Sequence, residues 1–130
     1  MDKALKTVLV VDDEIALVKA LETVLKSEGY KVITASDGEV GFKMCHDNHP
    51  DLILLDILMP HLDGLGMLEK LRTCKDDFCE HVPVIILTNL TNEDFEKNAN
   101  KLDAPDYVIK SDTDLKSIVA MVHKKLKNLE

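Results

Sequence analysis

One stretch restricts the fold more than any other. In DLILLDILMPHLDG, residues 51–64, the apolar run Leu52-Ile53-Leu54-Leu55 ends directly on a carboxylate, Asp56. A run with no polar interruption suits a strand covered on both faces, the condition of a strand inside a parallel sheet. Met59-Pro60 and Asp63-Gly64 then read as loop and turn. Asp56 is thereby placed at the carboxyl end of a central strand, the edge of an open α/β sheet where ligands bind.

The rest of the chain alternates short apolar runs with helical patterns. Lys6 to Val11 is a strand candidate that ends at Asp12-Asp13-Glu14, where carboxylates can cap a helix and favour its positive end. The following helix gathers Ile15, Leu17, Val18, Leu21, Val24 and Leu25 within about half of its circumference, and Gly29 is a natural stop. Tyr30 to Ala35 alternates like a second strand, and Ser36 with Glu39 resembles a capping box for a short helix through Asp47. Asp51 to Leu55 is the third strand. Gly64 to Thr73 reads as a helix with Leu65, Leu68 and Leu71 on one side, followed by a polar loop. Val82 to Leu87 is the fourth strand, with Pro83 tolerated near its start. Thr91 and Asp94 open a helix with a thin apolar side, Phe95, Ala99 and Leu102. Tyr107 to Ile109 is a short fifth strand. A last helix from Asp112 carries Leu115, Ile118, Val119, Val122, Leu126 and Leu129 on one face.

Five strands alternating with five helices predict a single parallel α/β sheet with helices on both faces, because right-handed crossovers must cover the sheet. The flavodoxin-like order 2-1-3-4-5 is the natural choice. It makes the ends of the first and third strands neighbours, so that Asp12 and Asp13 converge on Asp56.

Composition excludes several function classes. At 130 residues the chain suits one domain, 1–130, with no room expected for an appended output domain. A formal net charge of −8 opposes direct DNA binding, which needs a basic surface. No run approaches the roughly 20 apolar residues of a membrane span, and the N-terminus turns acidic where a signal peptide would present small residues. A cytoplasmic protein is expected. Cys45, Cys74 and Cys79 are an odd number, so reduced thiols are expected rather than a disulfide framework. Cys74, Cys79 and His81 match no familiar zinc spacing. The five histidines read as surface residues.

Three carboxylates in one crevice repel one another, and burying them unpaired is costly. A hard divalent ion resolves the conflict. Mg²⁺ prefers oxygen ligands and commonly joins one or two carboxylates to a phosphate. The ends of the fourth and fifth strands add Thr88, a hydroxyl, and Lys110, an ammonium, which can hold the oxygens of an anion placed on Asp56.

Together, VVDDE, LLDILMPHLDG, ILTN and YVIK resemble the motif set of response-regulator receiver domains of two-component signalling, in a stand-alone, chemotaxis-regulator-like form. The resemblance implies that Asp56 is the phosphoacceptor, taking a phosphoryl group from a sensor histidine kinase, a phosphotransfer protein or a small phosphodonor. It implies that Asp12, Asp13, Asp56 and the backbone carbonyl of Leu58 hold Mg²⁺. Thr88 and Lys110 would bind phosphoryl oxygens, and Thr88 with Tyr107 would form the switch. The family's output passes through the face of the fourth helix, fifth strand and fifth helix, to a downstream protein effector or into a homodimer of phosphorylated chains. Catalysis would be confined to the chain's own phosphorylation and dephosphorylation.

The sequence departs from the family pattern at three places. Ser111 replaces the proline that usually follows the lysine in a cis peptide, and a cis bond without proline costs about 3 kcal/mol, so a trans bond is expected. Asn89 replaces a small residue after the threonine and narrows access to the phosphoryl site. Leu58 and Leu90 flank the expected water route, and neither orients a hydrolytic water, so slow loss of the phosphoryl group is expected. A dehalogenase-type phosphatase would need an acid where Leu58 stands, and a flavodoxin would need a Ser/Thr/Gly-rich loop where Asp12-Asp13-Glu14 stands. The remaining alternative is a receiver-like interaction module that is never phosphorylated.

Overall fold

A computed structural model describes residues 6–57, 64–75, 77–88, 106–110 and 113–127. Five strands, β1 (Thr7–Val11), β2 (Lys31–Ala35), β3 (Leu52–Asp56), β4 (Val84–Thr88) and β5 (Asp106–Ile109), form one sheet in the order β2-β1-β3-β4-β5. All pairings are parallel, with Val11 level with Leu55, Asp56 with Leu87, and Thr88 with Ile109. Among the described residues the helices are α1 (Ile15–Ser27), α2 (Gly38–Asn48), α3 (Gly64–Thr73), a short α4 (Asp77–His81) and α5 (Leu115–Lys127). The fold is the flavodoxin-like α/β architecture that the alternating pattern predicts.

Period-two alternation divides the core. Leu9, Val11, Ile53, Leu55, Val84 and Ile86 face α2, α3 and α4, where they meet Cys45, Met67, Leu68, Leu71 and Cys79. Val8, Val10, Leu52, Leu54, Ile85, Leu87 and Val108 face α1 and α5, meeting Leu21, Leu25, Ile118, Val119, Val122 and Leu126. Because β3 is covered on both faces, all five of its residues are buried, and each leucine contributes about 2 kcal/mol relative to an exposed one. The polar end of such a strand is held there by its neighbours.

Gly29 ends α1 as expected, and its φ of 98° shows why glycine serves there. Its N–H donates to Lys26 O and that of Tyr30 to Leu25 O, the paired bonds of a Schellman motif. Four expectations are corrected. Ile15 stands at the exposed entry of α1, 70% exposed, rather than on the buried face, because the apolar stripe begins at Leu17. The N-terminus of α2 is capped by Asp37, whose Oδ1 accepts from Val40 N at 2.9 Å, and not by Ser36. Residues 77–81 form a helix instead of a polar loop. Phe78 and Cys79 pack on the core there, and Arg72 Nη1 donates to the terminal carbonyls of Cys79 and Glu80. His123 is half-buried, linking Tyr30 to Glu28, whereas His46, His49 and His81 are exposed. The helix expected over 91–102 lies outside the described residues.

Candidate functional site

The site lies where β1, β3, β4 and β5 end together. Asp12 and Asp56 continue the alternation of Val8-Val10 and Leu52-Leu54, and Lys110, directly after β5, continues that of Val108. All three therefore lean toward the α1 and α5 side. Thr88 continues the alternation of Val84 and Ile86, the opposite side, on which Tyr107 also packs. The strand pattern thus sorts the candidate residues into an ionic group and a hydroxyl–aromatic pair.

Asp12, Asp13 and Asp56 each present a carboxylate oxygen within 4.8 Å of the others. Asp12 and Asp56 are nearly inaccessible, at 2% and 6% exposure, while Asp13 faces solvent. Lys110 Nζ reaches Asp12 Oδ2 at 2.7 Å, Asp56 Oδ1 at 3.4 Å and Glu14 Oε1 at 3.7 Å. Asp12 Oδ1 accepts from Glu14 N at 2.9 Å, which fixes the carboxylate against the entry of α1. The acids do not cap α1 directly, since Glu14 is the N-cap residue and makes no side-chain cap bond. Asp56 Oδ1 accepts from Ile57 N at 2.8 Å.

Electrostatics follow from this geometry. Burial, and then the charge of Asp12, push the Asp56 carboxyl from its ordinary 3.8 up to about 6, against the opposing pull of Lys110. For Lys110, burial disfavours the ammonium, but Asp12 and then Asp56 outweigh it and hold its pKa above the ordinary lysine value. Asp12 Oδ2 is buried, and the Lys110 ammonium at 2.7 Å is its close partner among the described residues. An all-oxygen donor set of three converging carboxylates fits a hard divalent cation, and Mg²⁺ in particular, which takes carboxylates and keeps waters. Among the described residues these three acids are the one group that could hold a metal ion, so Cys74, Cys79 and His81 do not gather as ligands.

The structure brings together Asp12, Asp13, Asp56 and Lys110, and sets Thr88, 1% exposed, at the end of the strand beside β3. Tyr107 is level with Ile86, deeper in the sheet. Leu58, Asn89, Leu90 and the Lys110–Ser111 peptide bond lie outside the described residues. Two contributors were missed in the sequence. Glu14 adds a further acid near Lys110, and Gly64 packs against the phosphoacceptor candidate's own backbone. A Cβ on Gly64 would lie 2.0 Å from Asp56 O and 2.7 Å from Ile57 Cα, and its N–H donates to Ile57 O at 2.9 Å. The Asp63-Gly64 pair signals a turn, but nothing in it signals contact with Asp56.

Comparison with known proteins identifies the family. Residues 8–123 match the family model of the response regulator receiver domain. The chain is 45% identical over 103 residues to a probable transcriptional regulator of Guillardia theta, a match covering 79% of this chain and 39% of that protein. It is 43% identical over 106 residues to the alkaline phosphatase synthesis transcriptional regulatory protein of Bacillus subtilis, covering 81% of this chain and 42% of that one. The chain therefore spans about two fifths of the length of these relatives. Among solved structures, a Francisella response-regulator receiver domain aligns with a TM-score of 0.85 at 27% identity, covering 96% of this chain and 99% of that one. The chain belongs to the response-regulator receiver-domain family.

Proposed function

We propose that the chain is a phosphorylation-activated signalling switch in which Asp56 accepts a phosphoryl group. The observation that carries this reading is the convergence of Asp12, Asp13 and Asp56 within 4.8 Å, with the Lys110 ammonium among them. In the step proposed, a carboxylate oxygen of Asp56 forms the bond to phosphorus as the bond to the donor breaks. The electron pair leaves with the donor, the imidazole of a phosphohistidine or a small acyl phosphate. Lys110 pairs with the phosphoryl oxygens, and the Thr88 hydroxyl donates to one of them. Mg²⁺, when bound by Asp12, Asp13, Asp56 and the carbonyl of Leu58, supplies charge neutralisation at those oxygens. In this reading catalysis is confined to the chain's own phosphorylation and dephosphorylation.

Relief of the Lys110–Asp12 contact and capture of Thr88 by the phosphoryl group would let Tyr107 follow, since both side chains lie on the same side of the sheet. The change is then read on β5, α5 and the helix expected over 91–102. The reading places the chain in the cytoplasm, with a sensor kinase or phosphotransfer protein upstream and a protein effector or a second phosphorylated copy downstream. Among the described residues no helix is long and apolar enough to cross a membrane. Direct DNA contact by this segment is not proposed, given its charge of −8.

Beryllofluoride with Mg²⁺ tests the switch. Amide shifts are expected at Asp12, Asp56, Thr88 and Lys110 and beyond them at Tyr107, Val108 and α5. Shifts confined to the acidic pocket would contradict switching.

A further inference from the structure

Lys110 is held by three acids of unequal standing. Its Nζ lies 2.7 Å from Asp12 Oδ2, 3.4 Å from Asp56 Oδ1 and 3.7 Å from Glu14 Oε1. The first two acids are buried and belong, with Asp13, to the group that converges within 4.8 Å and suits a divalent cation, whereas Glu14 stands outside it. The Glu14 side chain is 61% exposed, so in the state described its contact with the ammonium is screened by solvent and adds little. The backbone nevertheless fixes where that carboxylate starts from. Glu14 is the N-cap residue of α1, its N–H donates to Asp12 Oδ1 at 2.9 Å and its carbonyl accepts from Val18 N at 3.1 Å, while its side chain makes no cap bond. Both backbone groups are tied down, and the carboxylate reaches toward Lys110.

Asp12 cannot serve two cations equally. Its Oδ1 is engaged by the Glu14 amide, and Oδ2, on the side shared with Asp56, is the oxygen that Lys110 holds. A divalent ion drawing on Asp12 and Asp56 sets two positive charges against the ammonium, in a buried pocket where little water separates them. Lys110 must then yield Asp12, and a side chain only 13% exposed has little freedom to swing into solvent. Of the three acids paired with Nζ, Glu14 is the one outside the cation set.

We infer that Glu14 is a positioning residue, which takes over the Lys110 ammonium when a divalent cation occupies Asp12, Asp13 and Asp56. The ammonium is thereby kept at the mouth of the site, beside Asp56, instead of being lost to solvent. In this role Glu14 touches neither the ion nor an incoming group and acts only through Lys110. Glutamine at this position retains the backbone bonds to Asp12 and Val18 and removes the charge. The inference rests on the proposed function only in taking the three aspartates as a divalent-cation site. It needs no phosphoryl group.

The test is a double-mutant cycle on Mg²⁺ affinity, measured by calorimetric titration without any phosphodonor. It compares the parent chain, Glu14→Gln, Lys110→Met and the double variant, with circular dichroism confirming that each is folded. Glu14→Gln is expected to weaken Mg²⁺ binding about threefold in the parent and hardly at all beside Lys110→Met. A loss of equal size in both backgrounds would overturn the inference, because Glu14 would then act on the ion by its own charge or through bound water. No loss in the parent would overturn it too. A second readout needs no Lys110 variant. The side-chain ammonium resonance of Lys110 should move on Glu14→Gln by more in the Mg²⁺-saturated chain than in the Mg²⁺-free chain, and equal movement in both would contradict the takeover. Mg²⁺ binding without coupling removes this inference alone, whereas no Mg²⁺ binding by the parent removes it together with the cation site. Failure of Asp56 to accept a phosphoryl group leaves the cycle intact.

Discussion

Lys110 Nζ lies 2.7 Å from Asp12 Oδ2 and 3.4 Å from Asp56 Oδ1, so the ammonium is committed first to the metal-ligand candidate and second to the phosphoacceptor candidate. Both acids are buried and share this one cation among the described residues. Lys110→Met is therefore expected to leave two uncompensated carboxylates, destabilising the fold by about 3 kcal/mol at pH 8. Urea denaturation at pH 8 and pH 5 measures it. The loss should shrink at pH 5, where Asp56 carries its proton.

The raised Asp56 pKa sets a direction for stability against pH. Its folded value of about 6 exceeds the ordinary 3.8, so the native state binds this proton more tightly than the unfolded state. The associated stability is fully present below the unfolded pKa and is lost as pH rises through about 6. Asp56→Asn removes the ionisation. The variant should match the parent near pH 4 and exceed its stability above pH 7 by on the order of 2 kcal/mol. A variant less stable than the parent across that range would count against the buried-charge account.

Metal binding should show the same titration with the opposite benefit. A divalent ion needs the ionised carboxylate, so Mg²⁺ affinity is expected to rise from pH 5 to pH 7.5 and the thermal midpoint to respond to Mg²⁺ mainly at the higher pH. Asp13→Asn should weaken Mg²⁺ about tenfold or more while barely changing stability, because Asp13 is exposed. Calorimetric titration with Mg²⁺ separates the two effects.

Gly64 is expected to be intolerant of the smallest addition. Its Cβ would overlap the Asp56 carbonyl at 2.0 Å, and that neighbour is backbone of a central strand end that cannot swing aside. Gly64→Ala should cost about 2 kcal/mol or more and slow phosphoryl transfer by displacing Asp56. Wild-type stability and rate in this variant would contradict the packing.

Tyr30 and His123 join the α1–β2 turn to α5 through a hydroxyl–imidazole hydrogen bond, and Glu28 holds the other ring nitrogen at 3.0 Å. The Glu28 contact requires a proton on Nε2, leaving Nδ1 to accept from Tyr30 in the neutral ring. Tyr30→Phe should cost about 1 kcal/mol and speed amide exchange along α5 without altering phosphorylation.

The fold was legible because each strand announces itself by length and alternation, and because β3 is apolar throughout. The ionic site was legible because three acids and a lysine fall at the ends of strands that the expected sheet order sets on one edge. Ile15, Ser36 and residues 77–81 were misread for a common reason. Short-range pattern cannot tell which face a helix's first turn presents, nor which of two adjacent polar residues caps it. Nor can it show that Arg72 will reach back to complete a five-residue helix. The contact between Gly64 and Asp56 is a relation across the fold, and no local pattern encodes it.

The most direct measurement is intact mass after treatment with acetyl phosphate and Mg²⁺. The account predicts one phosphoryl adduct on the parent chain, absent from Asp56→Asn and reduced in Lys110→Met. No adduct on the parent chain, or an adduct that survives Asp56→Asn, would contradict it and favour a receiver-like module that works by binding alone.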